Sequence, residues 1–454
     1  MVYSIIQKSQ LEGARRLDSE YYQPEYLILK NRLLHYGEVA PLFELAKIQA
    51  GPAYSSNQIG DNFEIPLARI GDVTNKNDIV NWTKVSLKEF NKFKSIEIIT
   101  DDILMSMTGD PPDVGKVNIV HINQNKILAF NQRVAKLTVK KGKMDSRFLF
   151  AYLSTEFSRF QTERAALGIR QRNLATEDLK NLLVIIPNNY IIITKLIDKY
   201  IDNLENSKSL YSQTEKLFLK ELNLNNFQQD KFLSLVVNLN EIKEVNRFDA
   251  EYFNSPCNKM LSQIRKIKTA KLGNLAEMTK GVEPGAEAYQ DEGKLFIRVS
   301  SISKDGILDK DQKYLSEDLY DEYKKYYQPQ VGEILLTKDA SPGVACLVCK
   351  PIEGIVSSGV VRLNLKEKIN PEYLTFVLNS LVGRMQAERD AGGSVIAHWK
   401  PEQIKNLVVP ILPVSIQNKI GDLTLQSYRA RRKAKELLEE AKSKVEKMIE
   451  KGGG

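Results

Sequence analysis

Apolar positions follow two different patterns along this chain. Short runs such as NFEIPLARI (62–70), DDILMSM (101–107), VNIVHI (117–122) and RVAKLTV (133–139) alternate or run apolar with β-branched residues between Gly, Pro, Asn and Asp. That patterning predicts strands joined by turns. RFLFAYLSTEFSRFQTERA (147–165) then changes to helical spacing, with Phe148, Tyr152, Phe157 and Phe160 on one side. The expected result is a twisted sheet with helices beside it.

Two longer stretches carry a seven-residue repeat instead. Between about 190 and 222 there is no glycine or proline, and Tyr190, Ile197, Leu204, Tyr211 and Phe218 recur in one row. Ile193 and Tyr200 supply part of a second row, which Ser207 and Thr214 weaken. From about 416 to 448, Ile416, Leu423, Ala430 and Leu437 form one row and Ile420, Ser427, Ala434, Ala441 and Met448 the other. Both stretches predict long amphipathic helices, and two matched seams in one chain most simply pack on each other. The small residues Ser427, Ala430, Ala434 and Ala441 allow a close approach. At about 1.5 Å per residue such a helix is a rod of about 50 Å, which matches about 15 base pairs of duplex DNA.

The strand-and-helix pattern occurs twice. RLDSEYY (16–22) returns as RFDAEYF (247–253), LARIGDV (67–73) as FIRVSSI (296–302), QTER (161–164) as QAER (386–389) and LKNL (179–182) as IKNL (404–407). RVAKL (133–137) is aligned loosely with VVRLN (360–364). The offset drifts only from 231 at Arg16/Arg247 to 225 at Asn181/Asn406, so insertions between the copies are few. A repeat of this length is a duplicated domain. The expected fold class is α/β (α+β), with two tandem duplicated domains at 1–187 and 227–412. Long helices at 188–226 and 413–454 separate them, packed as an antiparallel coiled coil with pseudo-twofold symmetry.

Composition adds little to this picture. With 42% hydrophobic and 27% charged residues the chain reads as an ordinary globular protein. It has neither an apolar run of membrane-spanning length nor a signal-peptide pattern, so a cytoplasmic location is expected. Three cysteines cannot form a disulfide framework, and Cys346/Cys349 lack the partners of a zinc site. A formal charge of +8 favours a polyanionic partner.

Catalytic signatures are missing. The chain has no Walker loop, HExxH or serine elbow. Asp110-Pro111-Pro112 carries Asp113 where an adenine methyltransferase motif needs an aromatic, and a turn is the better reading. Base-reading chemistry has candidates in loops. They are Tyr54, Ser55, Ser56, Asn57 and Gln58 after Gly51; Asn131, Gln132 and Arg133; and Arg170, Gln171, Arg172 and Asn173. The second copy offers Lys338, Ser357, Ser358, Arg362, His398, Trp399 and Lys400. Such side chains pair with base edges or phosphates. Arg16, Asp18, Arg69, Arg247, Asp249 and Arg298, retained in both copies, suggest framework. Ile197, Leu204, Tyr211, Phe218, Leu423, Ala430, Ala434, Leu437 and Ala441 are expected to pack the helices or a partner.

Taken together, RLDSEYY and RFDAEYF, the GIRQRNLATEDLKNLLVIIP ending and the following long helix closely resemble the specificity subunit of type I restriction-modification systems. That resemblance implies two target-recognition domains, each binding one half of a bipartite, asymmetric duplex DNA site. It implies a non-catalytic chain that directs two methyltransferase subunits, with a restriction and translocase subunit joining in some complexes. S-adenosylmethionine, and ATP with Mg²⁺ where restriction occurs, then belong to partners, and this chain holds no cofactor or metal. A stand-alone DNA-modifying enzyme and a two-headed protein or RNA adaptor are the alternatives. The departure from the family pattern is a glycine tail at Gly452–Gly454.

Overall fold

A computed structural model describes residues 4–11, 17–74, 83–93, 97–110, 113–122, 127–168, 171–227, 236–245, 247–253, 256–308, 312–366, 368–391 and 397–452. The chain divides into two units, residues 1–205 with 432–454 and residues 206–431.

The first unit is built on four antiparallel strands in the order Ala46–Ala50, Val134–Val139, Ile103–Ser106, Val117–Ile119. Ile103–Ser106 is buried at every position, as expected for a strand covered on both faces. Helices Ser146–Leu153 and Glu156–Ala165 cover the sheet and supply Phe148, Phe150, Phe157 and Phe160 to its core. A smaller sheet, Ile59–Gly60, Lys84–Val85, Ile65–Ala68 and Ala129–Phe130, carries a separate cluster around Leu67 and Phe90.

The second unit repeats the plan with Ala276–Lys280, Val360–Leu365, Ile334–Thr337 and Ala345–Leu347. Helices Pro371–Asn379 and Leu381–Asp390 cover it. Its side sheet is Lys313–Leu315, Lys294–Ile297 and Gly354–Val356.

Residues identical in the two copies hold these frames. Gln161 donates to Leu183 O at 3.0 Å and accepts from Leu183 N at 2.8 Å, tying the covering helix to strand Leu183–Ile185. Gln386 makes the same two bonds to Val408, at 3.0 and 2.8 Å. Arg164 stands 3.9 Å from the Tyr21 ring and Arg389 stands 4.8 Å from the Tyr252 ring. Arg247 pairs with Asp249 at 2.8 Å and donates to the carbonyls of Arg389 and Asp390. The hydrogen bond from Arg247 holds the Asp249 carboxyl below its ordinary pKa. Arg16 lies outside the described residues.

The pairing registers correct one alignment. Lys136 lies opposite Leu104 and Gln49, while Arg362 lies opposite Leu335 and Thr279, so Arg362 is equivalent to Lys136. Aligning RVAKL with VVRLN is therefore one residue out, which turns every side chain to the wrong face. Lys136 donates to Glu97 O at 2.7 Å beside Asp102, and Asp102 caps Ile99 N at 2.9 Å. Arg362 donates to Gln328 O at 2.5 Å beside Glu333, and Glu333 caps Gln330 N at 2.8 Å. Each is a buried acid–base pair that closes the turn before a central strand.

The two long helices are Ile191–Glu221 and Val414–Lys451. In the first unit Ile193, Ile197 and Tyr200 share a core with Ala434, Leu437, Ala441, Val445 and Ile449. Leu204 is half-buried against the same core. In the second unit Phe218 and Ile420 are buried in one core, with Tyr211 packed at its edge, and Ala430 is also buried. Ser427 Oγ donates to Ser207 O at 2.8 Å, so the small polar residues of the seam bring the two backbones together. Thr214 and Thr424 are fully buried, each bonded to its own helix at Leu210 O and Ile420 O. Leu423 is only half-buried, and Thr424 takes the inward place expected of it.

Candidate nucleic-acid interface

In the first unit one chain of backbone hydrogen bonds gathers three loops at the strand ends. Gly51 N donates to Val134 O at 3.3 Å, Gln132 N to Pro52 O at 3.0 Å, Met107 N to Arg133 O at 2.9 Å and Leu174 N to Met107 O at 2.8 Å. Antiparallel pairing of Arg172–Asn173 with Thr108–Gly109 extends it. Gly51 is required by close approach: a Cβ there would stand 2.4 Å from Asn131 O.

The second unit repeats this grid position by position. Gly281 N donates to Val360 O at 3.2 Å, Ser358 N to Val282 O at 2.8 Å, Lys338 N to Gly359 O at 2.9 Å and Trp399 N to Lys338 O at 2.8 Å. Asp339 pairs with His398 across an antiparallel bridge. A Cβ on Gly281 would stand 2.1 Å from Ser357 O. The backbone is thus common to both copies, and the side chains it carries differ. Met107, Thr108, Arg133 and Asn173 stand where the second unit has Lys338, Asp339, Gly359 and His398.

The side chains named from sequence divide into exposed and buried groups. Ser56, Asn57, Gln132, Arg133, Gln171 and Asn173 are exposed in the first unit, and His398 and Lys400 in the second. Ser55 and Gln58 are engaged in a local cap, with Ser55 N donating to Gln58 Oε1 at 2.9 Å. Asn131 Oδ1 accepts from Arg133 N at 3.1 Å, shaping its own turn. Ser358 Oγ donates to Glu283 at 3.0 Å. Arg170 lies outside the described residues, as do Pro111 and Pro112. Asp113 N donates to Asp110 O at 2.6 Å.

Five expectations are corrected. Tyr54 is buried against Ile65, Leu67 and Phe90, because its ring is large and apolar. Trp399 is fully buried in the main core of the second unit, and Ser357 is buried under Gly281. Arg172 is half-buried and donates to Glu163 O at 3.2 Å. Arg362, 8% exposed, is the frame residue described above. Arg172 and Arg362 spend their guanidinium groups on backbone carbonyls within the fold.

Sequence reasoning missed Thr108 and Asp339, whose signal was their equivalent positions beside the Asp110 turn and Ala340. Asp339 accepts from Lys338 Nζ at 2.6 Å and from His398 Nδ1 at 2.8 Å. Burial pushes the Asp339 carboxyl up, and these two donors outweigh it, holding it below its ordinary value. A cleft of about 650 Å³ opens beside it, lined by Glu283, Tyr289, Arg298, Ser341, Ser358 and Gly359. Such a surface offers hydrogen-bonding groups of both kinds to a base edge.

Among the described residues no cluster of three His, Cys, Asp or Glu side chains is placed to hold an ion. Burial pushes the Cys257 and Cys346 thiols up to about 12, so both stay protonated and inert. No helix among the described residues is long and apolar enough to cross a membrane.

The solved S subunit of the type I restriction-modification system of M. genitalium is similar over 91% of this chain and 95% of its own, at 14% identity and a TM-score of 0.41. The HsdS subunit of Thermoanaerobacter tengcongensis is similar over 91% and 96%, at 13% identity and a TM-score of 0.29. The type I restriction modification DNA specificity domain matches twice, at residues 37–221 and 264–441. Those two stretches contain both strand-end grids and most of the chain, and the protein therefore belongs to the type I restriction-modification DNA specificity family.

Proposed function

We propose that each unit binds one half of a bipartite, asymmetric site in double-stranded DNA, and that the chain directs associated methyltransferase subunits to that site. The observation that carries this reading is the repeated backbone grid with diverged side chains. Two copies of one surface suit two copies of one kind of ligand, and different tips suit two different base sequences. In this reading the chain is non-catalytic. S-adenosylmethionine is held by two methyltransferase subunits, and ATP with Mg²⁺ by a restriction and translocase subunit where one joins. The complex acts in the cytoplasm.

Exchanging residues 1–187 for the same region of a relative tests the modular part. Methylation sequencing is expected to show one altered half-site; alteration of both halves contradicts independent reading. Adding a heptad to both long helices should change the accepted gap between half-sites, and an unchanged gap removes their spacer role. Affinity for duplex should fall steeply with salt, with a log–log slope of about −0.9 per phosphate contacted. A flat response would point to a protein or RNA adaptor. Methyl transfer by the purified chain alone would make it an enzyme.

A further inference from the structure

Across the strand-end grid of each unit stand two side chains that touch. In the first unit Thr108 Oγ1 donates to Asn173 Oδ1 at 3.0 Å. In the second, His398 Nδ1 and Asp339 Oδ1 are 2.8 Å apart. Both pairs occupy one register, since Thr108 faces Asn173 and Asp339 faces His398 across antiparallel bridges. The surrounding backbone bonds are the same in both copies, so the grid does not depend on which pair is present. The pair has changed as a pair, hydroxyl and amide in one copy, carboxylate and imidazole in the other, with the contact between them kept.

Each pair has an inner and an outer member. Thr108 is 8% exposed and Asn173 is exposed. The side chain of Asp339 is 22% exposed and that of His398 is 63% exposed. The inner member occupies one polar atom of the outer side chain and thereby fixes how the other is presented, as second-shell partners do. Asn173, with its carbonyl oxygen engaged, presents its amide NH₂, a donor. His398, with Nδ1 engaged, presents Nε2. In the second unit the cleft of about 650 Å³ beside Asp339 leaves room for a base edge to approach.

We propose that these pairs are equivalent specificity-determining positions: Thr108–Asn173 sets the preference at one base pair of the first half-site, and Asp339–His398 at the equivalent base pair of the second. Asn173 and His398 make the contact, and Thr108 and Asp339 position them. This rests on the DNA reading proposed above.

The test is selection from a randomised duplex library with the full-length chain and three variants. These are Thr108→Asp with Asn173→His, Asp339→Thr with His398→Asn, and His398→Asn alone. Each double exchange is expected to change the preference at one base pair of its own half-site by at least about fivefold, the low end of what one mismatched pair costs. The other half-site is expected to stay as it was, which reports that the exchange acts within its own unit. His398→Asn alters an exposed side chain and should weaken the same single preference without disturbing the unit. Wild-type preferences in the double variants overturn the assignment. So does loss of a half-site in a double variant when His398→Asn keeps the wild-type preference. If the wild-type chain enriches no two-part motif at all, the DNA reading beneath the proposal fails instead.

Discussion

Replacing Arg362 separates a frame residue from a DNA contact. Arg362 is 8% exposed, and its guanidinium bonds the carbonyls of Gln328 at 2.5 Å and Tyr326 at 2.6 Å and stands 3.6 Å from Glu333. Arg362→Met leaves the carboxylate of Glu333, a buried residue, without its cation. Breaking one side of such a pair costs about 3–5 kcal/mol. For a unit of this size each kcal/mol lowers Tm by about 2–4 °C, so a fall of about 6–20 °C is expected by calorimetry. Arg362→Lys should cost far less, about 1 kcal/mol for one lost carbonyl bond. Lys136 already fills the equivalent place in the first unit, reaching Glu97 O at 2.7 Å. A bidentate contact to guanine would not tolerate that exchange. The reasoning is refuted if Arg362→Met melts like the wild type while recognition of one half-site is lost.

Three further outcomes are expected. Gly281→Ala sets a Cβ 2.1 Å from Ser357 O, so the loops must part. Urea denaturation should show a loss of about 1–3 kcal/mol or more, together with weaker reading of the second half-site. Gln386→Leu removes the partners of Val408 N and Val408 O. At about 1–3 kcal/mol for each unpaired group, equilibrium unfolding should show a loss of about 2–6 kcal/mol, and Gln161→Leu should cost less in the first unit, where the Tyr152 hydroxyl still donates to Leu183 O. The depressed Asp249 pKa contributes stability that is present at neutral pH and lost as pH falls below the ordinary aspartate value of 3.8. Asp249→Asn should flatten that acid-range loss of the urea midpoint, and an undiminished slope would assign it to other carboxylates.

The duplication made much of this fold legible. Gln161 and Gln386, or Gly51 and Gly281, could be recognised as structural because one chain keeps them twice, and the structure shows the same bonds or the same close approach at both. Register was less visible. RVAKL and VVRLN match apolar to apolar whether or not they are slipped by one residue, and only the strand partners reveal which face the cation takes. Tyr54 and Trp399 misled for a related reason, since an aromatic ring with one polar atom suits a core as readily as a base stack. The helix seam was traced through apolar rows and through Ser427, Ala430, Ala434 and Ala441, whereas Ser207 and Thr214, expected to weaken it, and Thr424 are buried at its middle. Small hydroxyl side chains carry little hydropathy signal, and their bonds to carbonyls are set by backbone proximity.

That distinction also bears on how the two copies can differ in their exposed side chains without losing their fold. The loops are joined to one another by backbone donors and acceptors at 2.8–3.3 Å. Side chains exposed on such a grid can change with effects within about ±0.5 kcal/mol on stability. Arg133 can then correspond to Gly359, and Asn173 to His398, while the bonds beneath them stay in place. The covering glutamines, the acid–base pairs at the strand starts and the crowded glycines lack that freedom, because the first two satisfy buried polar groups and the glycines stand where a Cβ would meet backbone oxygen. Under the proposed DNA reading, selection on target sequence and selection on folding act on separate sets of residues. The first set lies on the outer side of the grid and the second within it, so an exchange confined to the outer set should alter recognition at wild-type stability.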